Sequence, residues 1–208
     1  MRSFRRLYAL PLAAALCLLG VGFAAMWWTE GREALTSAPQ VTMPSIGGPF
    51  TLTDTAGREV TDQTYRGKIE LVYFGYTYCP DACPTALNEI AGALAELGTG
   101  ADRVQPIFIT IDPARDTRKV LAEYVRAFDS RIVGLTGTPE QIAAAAKAYR
   151  VYYAPYKSAD APDGYLMDHT SVVYVMDEKG RFVASFTHET SADEMAERLR
   201  KLIAKTSS

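Results

Sequence analysis

The chain has 208 residues, 48% of them hydrophobic and 22% charged, a balance that belongs to a globular domain and excludes a disordered protein. The formal net charge of −2 is uneven: Arg2, Arg5 and Arg6 supply +3 at the amino end, which leaves −5 for the remainder. No basic patch points to a nucleic-acid partner.

Residues 7–28 are 22 consecutive positions without a charge. As a helix they would span about 33 Å, enough for the ~30 Å hydrocarbon layer, so residues 1–28 read as a membrane anchor. Three arginines precede the apolar run, and Trp27 and Trp28 suit the interfacial aromatic belt. The positive-inside rule then leaves the amino terminus in the cytoplasm and exports the rest. A cleaved signal peptide is the competing reading, with Gly22-Phe23-Ala24 as its cleavage site, but the run exceeds a usual signal-peptide core. Cys17, in mid-segment after Leu16, reads as an apolar residue facing lipid. Residues 29–42, rich in Thr, Ser, Pro and Gly, read as a flexible linker, and the domain occupies 43–208.

Within the domain, 50–54 alternates as a strand does, and 56–60 supplies a turn and a returning strand. The apolar run 69–75 reads as a central strand. Residues 85–97 place Leu87, Ile90, Leu94 and Leu97 at helical spacing and end at Gly98. A second strand is expected over 104–111 and a second helix over 116–128, with Val120, Leu121, Tyr124, Val125 and Phe128 on one stripe. A short strand at 132–136 and a helix at 139–149 follow. Three strand-helix pairs in succession argue for parallel strands with helices on the faces of the sheet. Residues 150–168 break the rhythm: Tyr149, Tyr152, Tyr153, Tyr156 and Tyr165 stand around Pro155, Pro162 and Gly164. This reads as a long exposed excursion whose tyrosines either cover the sheet or form a partner surface. Residues 171–176 and 182–186 form a hairpin across Asp177-Glu178-Lys179-Gly180, and 192–203 is a last amphipathic helix. The expected fold is α/β and thioredoxin-like, a central mixed β-sheet flanked by helices, with an N-terminal transmembrane helix.

Cys79 and Cys83 end the central strand's turn. Spaced by four, they lie on one face of a helical turn, about 5–6 Å apart at Cβ, within reach of a disulfide or of one metal ion. Pro84 suits the first turn of a helix, so Cys83 is expected near an exposed N-terminus whose dipole favours the thiolate. The exported compartment permits disulfides, so the pair is either oxidised or put to use. Two thiolates are soft ligands, and one imidazole completes a copper(I) site. Of the two histidines, His169 precedes an apolar strand, where a loop can return it over the cysteine turn; His188, beside Glu189, reads as a surface residue. Met167 reads as packing rather than as a thioether ligand. In Ile111-Asp112-Pro113-Ala114-Arg115-Asp116-Thr117, Asp116 caps a helix and Asp112 pairs with Arg115. The alternative is that this group supports the cysteine turn, or docks a partner, at the carboxyl ends of the strands.

The run Tyr73-Phe74-Gly75-Tyr76-Thr77-Tyr78-Cys79-Pro80-Asp81-Ala82-Cys83-Pro84, the 111–117 segment, Gly134-Leu135-Thr136-Gly137-Thr138 and Asp168-His169-Thr170 together resemble the Sco/SenC family over nearly the whole domain. The resemblance implies a membrane-anchored, thioredoxin-folded metallochaperone that delivers copper to the dinuclear copper A centre in subunit II of cytochrome c oxidase. It implies one copper per domain, Cu(I) and/or Cu(II), on Cys79, Cys83 and His169, with the two cysteines also able to form a disulfide. An upstream copper carrier and a thioredoxin-like reductant are the further partners implied, at the periplasmic face of a bacterial inner membrane. Tyr78 departs from the pattern, because many members have histidine there; it is not a ligand position.

Two functions compete. The first is copper carriage, which is binding and transfer rather than enzymatic turnover. The second is thiol-disulfide exchange, with Cys79 and Cys83 as the redox pair that reduces the cysteines of the oxidase subunit. Against the second, the spacing is C-x-x-x-C rather than C-x-x-C, and Asp168-His169-Thr170 stands where thioredoxins place a cis-proline. His169 discriminates, since copper binding needs it and disulfide exchange does not. A purely structural disulfide is the weakest reading, because a five-residue loop staples little chain entropy.

Overall fold

A strand buried on both faces belongs in the middle of a covered sheet, and Ile69–Gly75, apolar or small apart from Glu70 and the hydroxyl of Tyr73, is buried at all seven positions. In the computed structural model, which describes residues 45–159, 161 and 163–206, this strand is β3. The others are β1 (Thr51–Asp54), β2 (Glu59–Thr61), β4 (Val104–Thr110), β5 (Val133–Thr136), β6 (Tyr153–Lys157), β7 (Tyr165–His169), β8 (Val173–Met176) and β9 (Phe182–Phe186). The α-helices are α1 (Ala82–Leu97), α2 (Arg118–Phe128), α3 (Pro139–Tyr149) and α4 (Ala192–Thr206). The expected anchor at 1–28 and linker at 29–42 lie outside the described residues. Among the described residues no helix is long and apolar enough to cross a membrane.

Seven strands form one sheet in the order β2-β1-β5-β4-β3-β8-β9. β3, β4 and β5 run parallel, with Gly75 opposite Thr110, whereas β8 pairs antiparallel with β3, and β9 with β8, on one side, and β1 pairs antiparallel with β5, and β2 with β1, on the other. This is the expected mixed sheet. The carboxyl ends of the three parallel strands share one edge, so the cysteine loop, the 111–117 turn and the 137–138 turn are neighbours there.

The faces follow from the alternation of side chains along β3. Tyr73 meets Phe108 of β4, which meets Tyr124 of α2; α1 covers this face too, since Cys83 lies against Gly75. Phe74 points the other way, to Tyr149 at the end of α3, which also touches Phe50 and Tyr174. Leu71, Val72, Phe74, Phe108 and Leu135 are fully buried, and each contributes about 1.5–3 kcal/mol relative to exposure.

Three expectations need correcting. The helix after the cysteines starts at Ala82, three residues before the expected start, and so includes Cys83. Asp116 does not cap α2: Thr117 does, its hydroxyl accepting from Val120 N–H at 3.3 Å. The 150–168 segment, read as a long exposed excursion, holds regular structure: β6 and β7 pair antiparallel as a separate two-stranded ribbon with Tyr153 opposite His169. Its tyrosines supply β-propensity, and Pro155, which lacks an N–H, is tolerated in a ribbon with no further strand beside it. Gly164, at φ +76, takes the left-handed conformation that closes the turn, where its carbonyl accepts from Ser158 N–H at 3.0 Å.

Candidate metal centre

The rigid frame delivers both cysteines. β3 ends at Gly75, whose carbonyl accepts from Ile111 N–H at 2.8 Å, and the chain then turns so that Cys79 N–H reaches the Tyr76 carbonyl at 3.3 Å. Glycine is required at 75: a Cβ there would lie 2.6 Å from Cys83 Sγ and 3.0 Å from the Phe108 ring. Thr77 is fixed by Asp116, a fully buried carboxylate that accepts from the Thr77 hydroxyl at 2.6 Å, from Thr77 N–H at 3.1 Å and from the Thr110 hydroxyl at 2.6 Å. Burial pushes the Asp116 carboxyl above the ordinary range, against the pull of these hydrogen bonds. Asp116 therefore ties the cysteine loop to the end of β4.

The two sulfurs differ. Cys79 is half-buried, and its Sγ accepts from Cys83 N–H, in the first turn of α1, at 3.3 Å. The Cys83 thiol, then His169 and the backbone N–H groups of Asp81 and Cys83, hold Cys79 as a thiolate, pushed down to about 4 although burial opposes it. Cys83 is fully buried, and burial first, then its hydrogen bond to Cys79, pushes its thiol well above the ordinary range. The thiolate that the sequence places at Cys83 thus sits on Cys79. The helix N-terminus does favour an anion, but the sulfur in position to receive it is the one just before the helix. Both cysteines are free.

His169, at the end of β7, closes the cluster. Its Nε2 lies 3.6 Å from Cys83 Sγ, and the ligating atoms of Cys79, Cys83 and His169 all fall within 4.8 Å of one another. Nδ1 is 3.2 Å from the Thr170 carbonyl, which can only accept, so Nδ1 donates there and Nε2 is the ring nitrogen that faces the sulfurs. The imidazole is held edge-on by Tyr73 and Tyr76, with ring centroids at 6.1 and 5.9 Å. One thiolate, one thiol that can lose its proton and one imidazole form a soft donor set that suits copper(I).

The structure brings these three together and leaves out the other candidates. His188 is exposed and outside the cluster, and Met167 is buried in the core. Tyr78 is 39% exposed beside Cys79. Residues that the sequence reading passed over include Tyr73, whose hydroxyl donates to Cys83 Sγ at 3.9 Å, and Thr77 and Thr110. The signal for Tyr73 was period-two alternation, which puts it on the same face of β3 as Gly75.

Residues 38–204 match the family model described as SCO1/SenC. The chain belongs to the SCO1/SenC family. The protein sco1 of Schizosaccharomyces pombe is 39% identical over 202 residues, covering 94% of this chain and 76% of that protein. The mitochondrial SCO1 homolog of Homo sapiens is 41% identical over 155 residues, 74% of this chain; this SCO1/SenC chain spans only about half of that relative, 51% of its length. Among solved structures, copper-bound ScoI of Bradyrhizobium japonicum is similar with a TM-score of 0.70 and 45% identity, over 76% of this chain and 99% of that one. The mixed thioredoxin-like sheet is the Sco fold.

Proposed function

We propose that this SCO1/SenC chain is a membrane-anchored copper carrier that holds one copper through Cys79, Cys83 and His169 and delivers it to the dinuclear copper A centre of cytochrome c oxidase subunit II. The observation that carries the reading is the convergence of two sulfurs and an imidazole nitrogen within 4.8 Å at one edge of a rigid sheet. In this proposal residues 1–28 anchor the chain, 29–42 tether it, and 43–208 present the site on the exported side. Copper bound to the relatives' structures and the fit of the donor set support the metal; the family resemblance supports the recipient.

The chemistry follows from the asymmetry of the sulfurs. Copper(I) meets the half-exposed Cys79 thiolate first. Binding to Cys83 then displaces its proton, so loading releases protons and strengthens as pH rises. His169 supplies the third, nitrogen donor, which matters more to copper(II) than to copper(I). Release reverses the order: a recipient thiolate replaces one donor at a time, and Cys83 recovers its proton in the apolar interior.

One observation favours a second reading, thiol-disulfide exchange. A Cys79 thiolate beside a protonated Cys83 is a nucleophile with a resolving partner. Attack by Cys79 on a partner disulfide forms a mixed disulfide and expels one partner thiolate. Cys83, on losing its proton, then attacks Cys79 Sγ, closes the internal disulfide and releases the second partner thiol.

His169→Ala separates the two. For a copper carrier, copper(I) still binds, more weakly, while the copper(II) thiolate charge-transfer spectrum is lost or short-lived. For a reductase, disulfide exchange continues at a similar rate once the part of the low Cys79 pKa that His169 supplies is allowed for. A variant that exchanges disulfides normally yet fails to mature the oxidase is defective in copper transfer; one that supports full oxidase activity at limiting copper overturns the carrier reading.

A further inference from the structure

The β6–β7 ribbon is a separate two-stranded sheet, and two strands alone are marginally stable in water. Yet this ribbon ends in His169, whose Nε2 stands 3.6 Å from Cys83 Sγ. The hydrogen bonds between Tyr152 and Thr170 close the base of the ribbon, and the Tyr76 hydroxyl is bonded to the Met167 backbone. The start of β7 is fastened by other means.

Arg115, in the turn after β4, has a side chain only 8% exposed. Its Nε donates to Asp112 Oδ2 at 2.5 Å, and its Nη1 donates to the backbone carbonyl of Tyr165, the first residue of β7, at 3.1 Å. The Tyr165 hydroxyl donates to the two Asp112 carboxylate oxygens at 3.1 and 3.2 Å. Asp112, Arg115 and Tyr165 therefore form a closed ring of contacts between the turn and the ribbon. The guanidinium carbon lies 3.6 Å from the Tyr165 ring centroid, 4.7 Å from that of Tyr78 and 5.9 Å from that of Tyr76. Tyr78 immediately precedes Cys79. Arg115 Nη2 makes no hydrogen bond among the described residues; a buried donor left unpaired is costly, so a guanidinium kept here has a compensating role. Asp163, in the turn of the ribbon, adds a longer ion pair to Nη1 at 3.8 Å.

We infer that Arg115 is the positioning residue that fastens the β6–β7 ribbon to the cysteine loop and so holds His169 within reach of both sulfurs. It acts through Tyr165 and touches no ligand atom. A planar, forked cation is needed because one group must reach a carboxylate, a carbonyl and aromatic faces at once; a lysine offers a point charge on a flexible stem and cannot. The copper part of the inference rests on Cys79, Cys83 and His169 being the copper ligands, whereas the ribbon part does not.

The test uses the full chain with Arg115→Ala and Arg115→Lys, each alone and with His169→Ala. In the copper-free protein, amide hydrogen exchange over 165–169 is expected to quicken in both single variants while β3 and β4 keep their protection. With copper, copper(II) affinity falls about 10- to 100-fold, the usual cost of losing a group that orients a metal ligand. Copper(I) affinity, carried by the two thiolates, stays close to that of the parent chain, and lysine does not rescue the copper(II) loss. In the His169→Ala background, Arg115→Ala adds no further copper(II) loss, because the residue it positions is gone. Unchanged ribbon exchange in copper-free Arg115→Ala overturns the inference whatever copper does. So does equal quickening of exchange in β3, β4 and the ribbon, which would make Arg115 a general stabiliser, and so does full additivity with His169→Ala. A parent chain that binds no copper overturns the ligand assignment instead, and ribbon exchange then decides the inference alone.

Discussion

The site is assembled from two regions built in different ways. The cysteine loop is welded to the most buried strand of the sheet: β3 is buried throughout, Asp116 pins Thr77, and the first turn of α1 holds Cys79 Sγ. The ribbon that carries His169 is two strands with an exposed Tyr156 and Lys157. The difference teaches that the sulfurs are fixed by the core and the imidazole is added from outside it. Under the proposed carrier function, the soft donors would keep the metal, and the third donor would govern which oxidation state is held and when it is let go. The comparison can be broken at the sulfurs, along the frame, or at a single hydroxyl.

The largest effect is expected at Cys83. Cys83→Ala removes one of two thiolate donors, and tight one-to-one copper(I) binding is lost, as a competition titration will record. The same change removes the first cause of the low Cys79 pKa. The Cys79 thiol is expected to rise from about 4 toward the ordinary value near ~8.5, followed by thiolate absorbance or by the pH dependence of alkylation. Retention of both tight binding and a low pKa would mean that the two sulfurs do not work as a pair.

The frame was legible in the sequence because its signals are local. The run at 69–75, the stripe of Leu87, Ile90 and Leu94 and the Asp177–Gly180 turn are strong local signals, and β3, the body of α1 and β8–β9 appear where they put them. The ribbon was not legible, because Pro155 and the glycine-containing turn look like loop signals, and only the pairing of Tyr153 with His169 shows the ladder. The three clustered residues were legible as types, from softness and spacing. What the sequence did not carry was which sulfur is charged, since that depends on Cys83 being sealed behind Gly75 and Phe108. The role of Asp116 was hidden for a similar reason: its partners Thr77 and Thr110 meet it only across the sheet edge.

The frame has a pH-sensitive place far along β3 from the cysteines. Glu70 is 2% exposed, and its Oε1 has no hydrogen-bond partner among the described residues. Burial pushes its carboxyl up from 4.5 to about 7, partly offset by Arg66. Because the folded-state value is raised, the folded chain holds a proton that the unfolded chain has released, so stability is fully present below pH 4.5 and is lost as pH rises through about 7. The loss amounts to about 3 kcal/mol. Denaturant unfolding at a series of pH values is expected to show this decline in the parent chain and a flatter profile in Glu70→Gln, with copper binding unchanged. An equally steep profile in Glu70→Gln assigns the decline to other groups.

Next in size is Gly75→Ala. The added methyl meets Cys83 Sγ and the Phe108 ring, and overpacking of this kind costs about 1–3 kcal/mol. Thermal unfolding will record the loss of stability. Because the clash is with the sulfur itself, copper(I) affinity is expected to fall as well, which an equally destabilising change at the buried Val60 of β2, at the opposite edge of the sheet, would not cause. A variant that loses stability but binds copper(I) normally would show that the cysteine loop is less rigidly set by the frame than the contacts imply.

The smallest change is the loss of one oxygen, Tyr73→Phe. The ring stays against Phe108 and edge-on to His169, and only the hydroxyl that donates to Cys83 Sγ is removed. That donor favours the Cys83 thiolate and works against the burial that keeps Cys83 protonated. Without it the Cys83 thiol is expected to rise further, so copper loading at neutral pH must displace a more tightly held proton. A single hydrogen bond of this kind is worth about 0.5–1.5 kcal/mol, or roughly 2- to 13-fold in copper(I) affinity. The deficit is expected to shrink as pH rises and the proton becomes easier to lose, and that trend separates an effect on Cys83 from an effect on packing, which would be the same at every pH. Competition titrations of parent and Tyr73→Phe chains across a pH series provide the measurement, and a deficit independent of pH would place the role of Tyr73 in the core rather than at the sulfur.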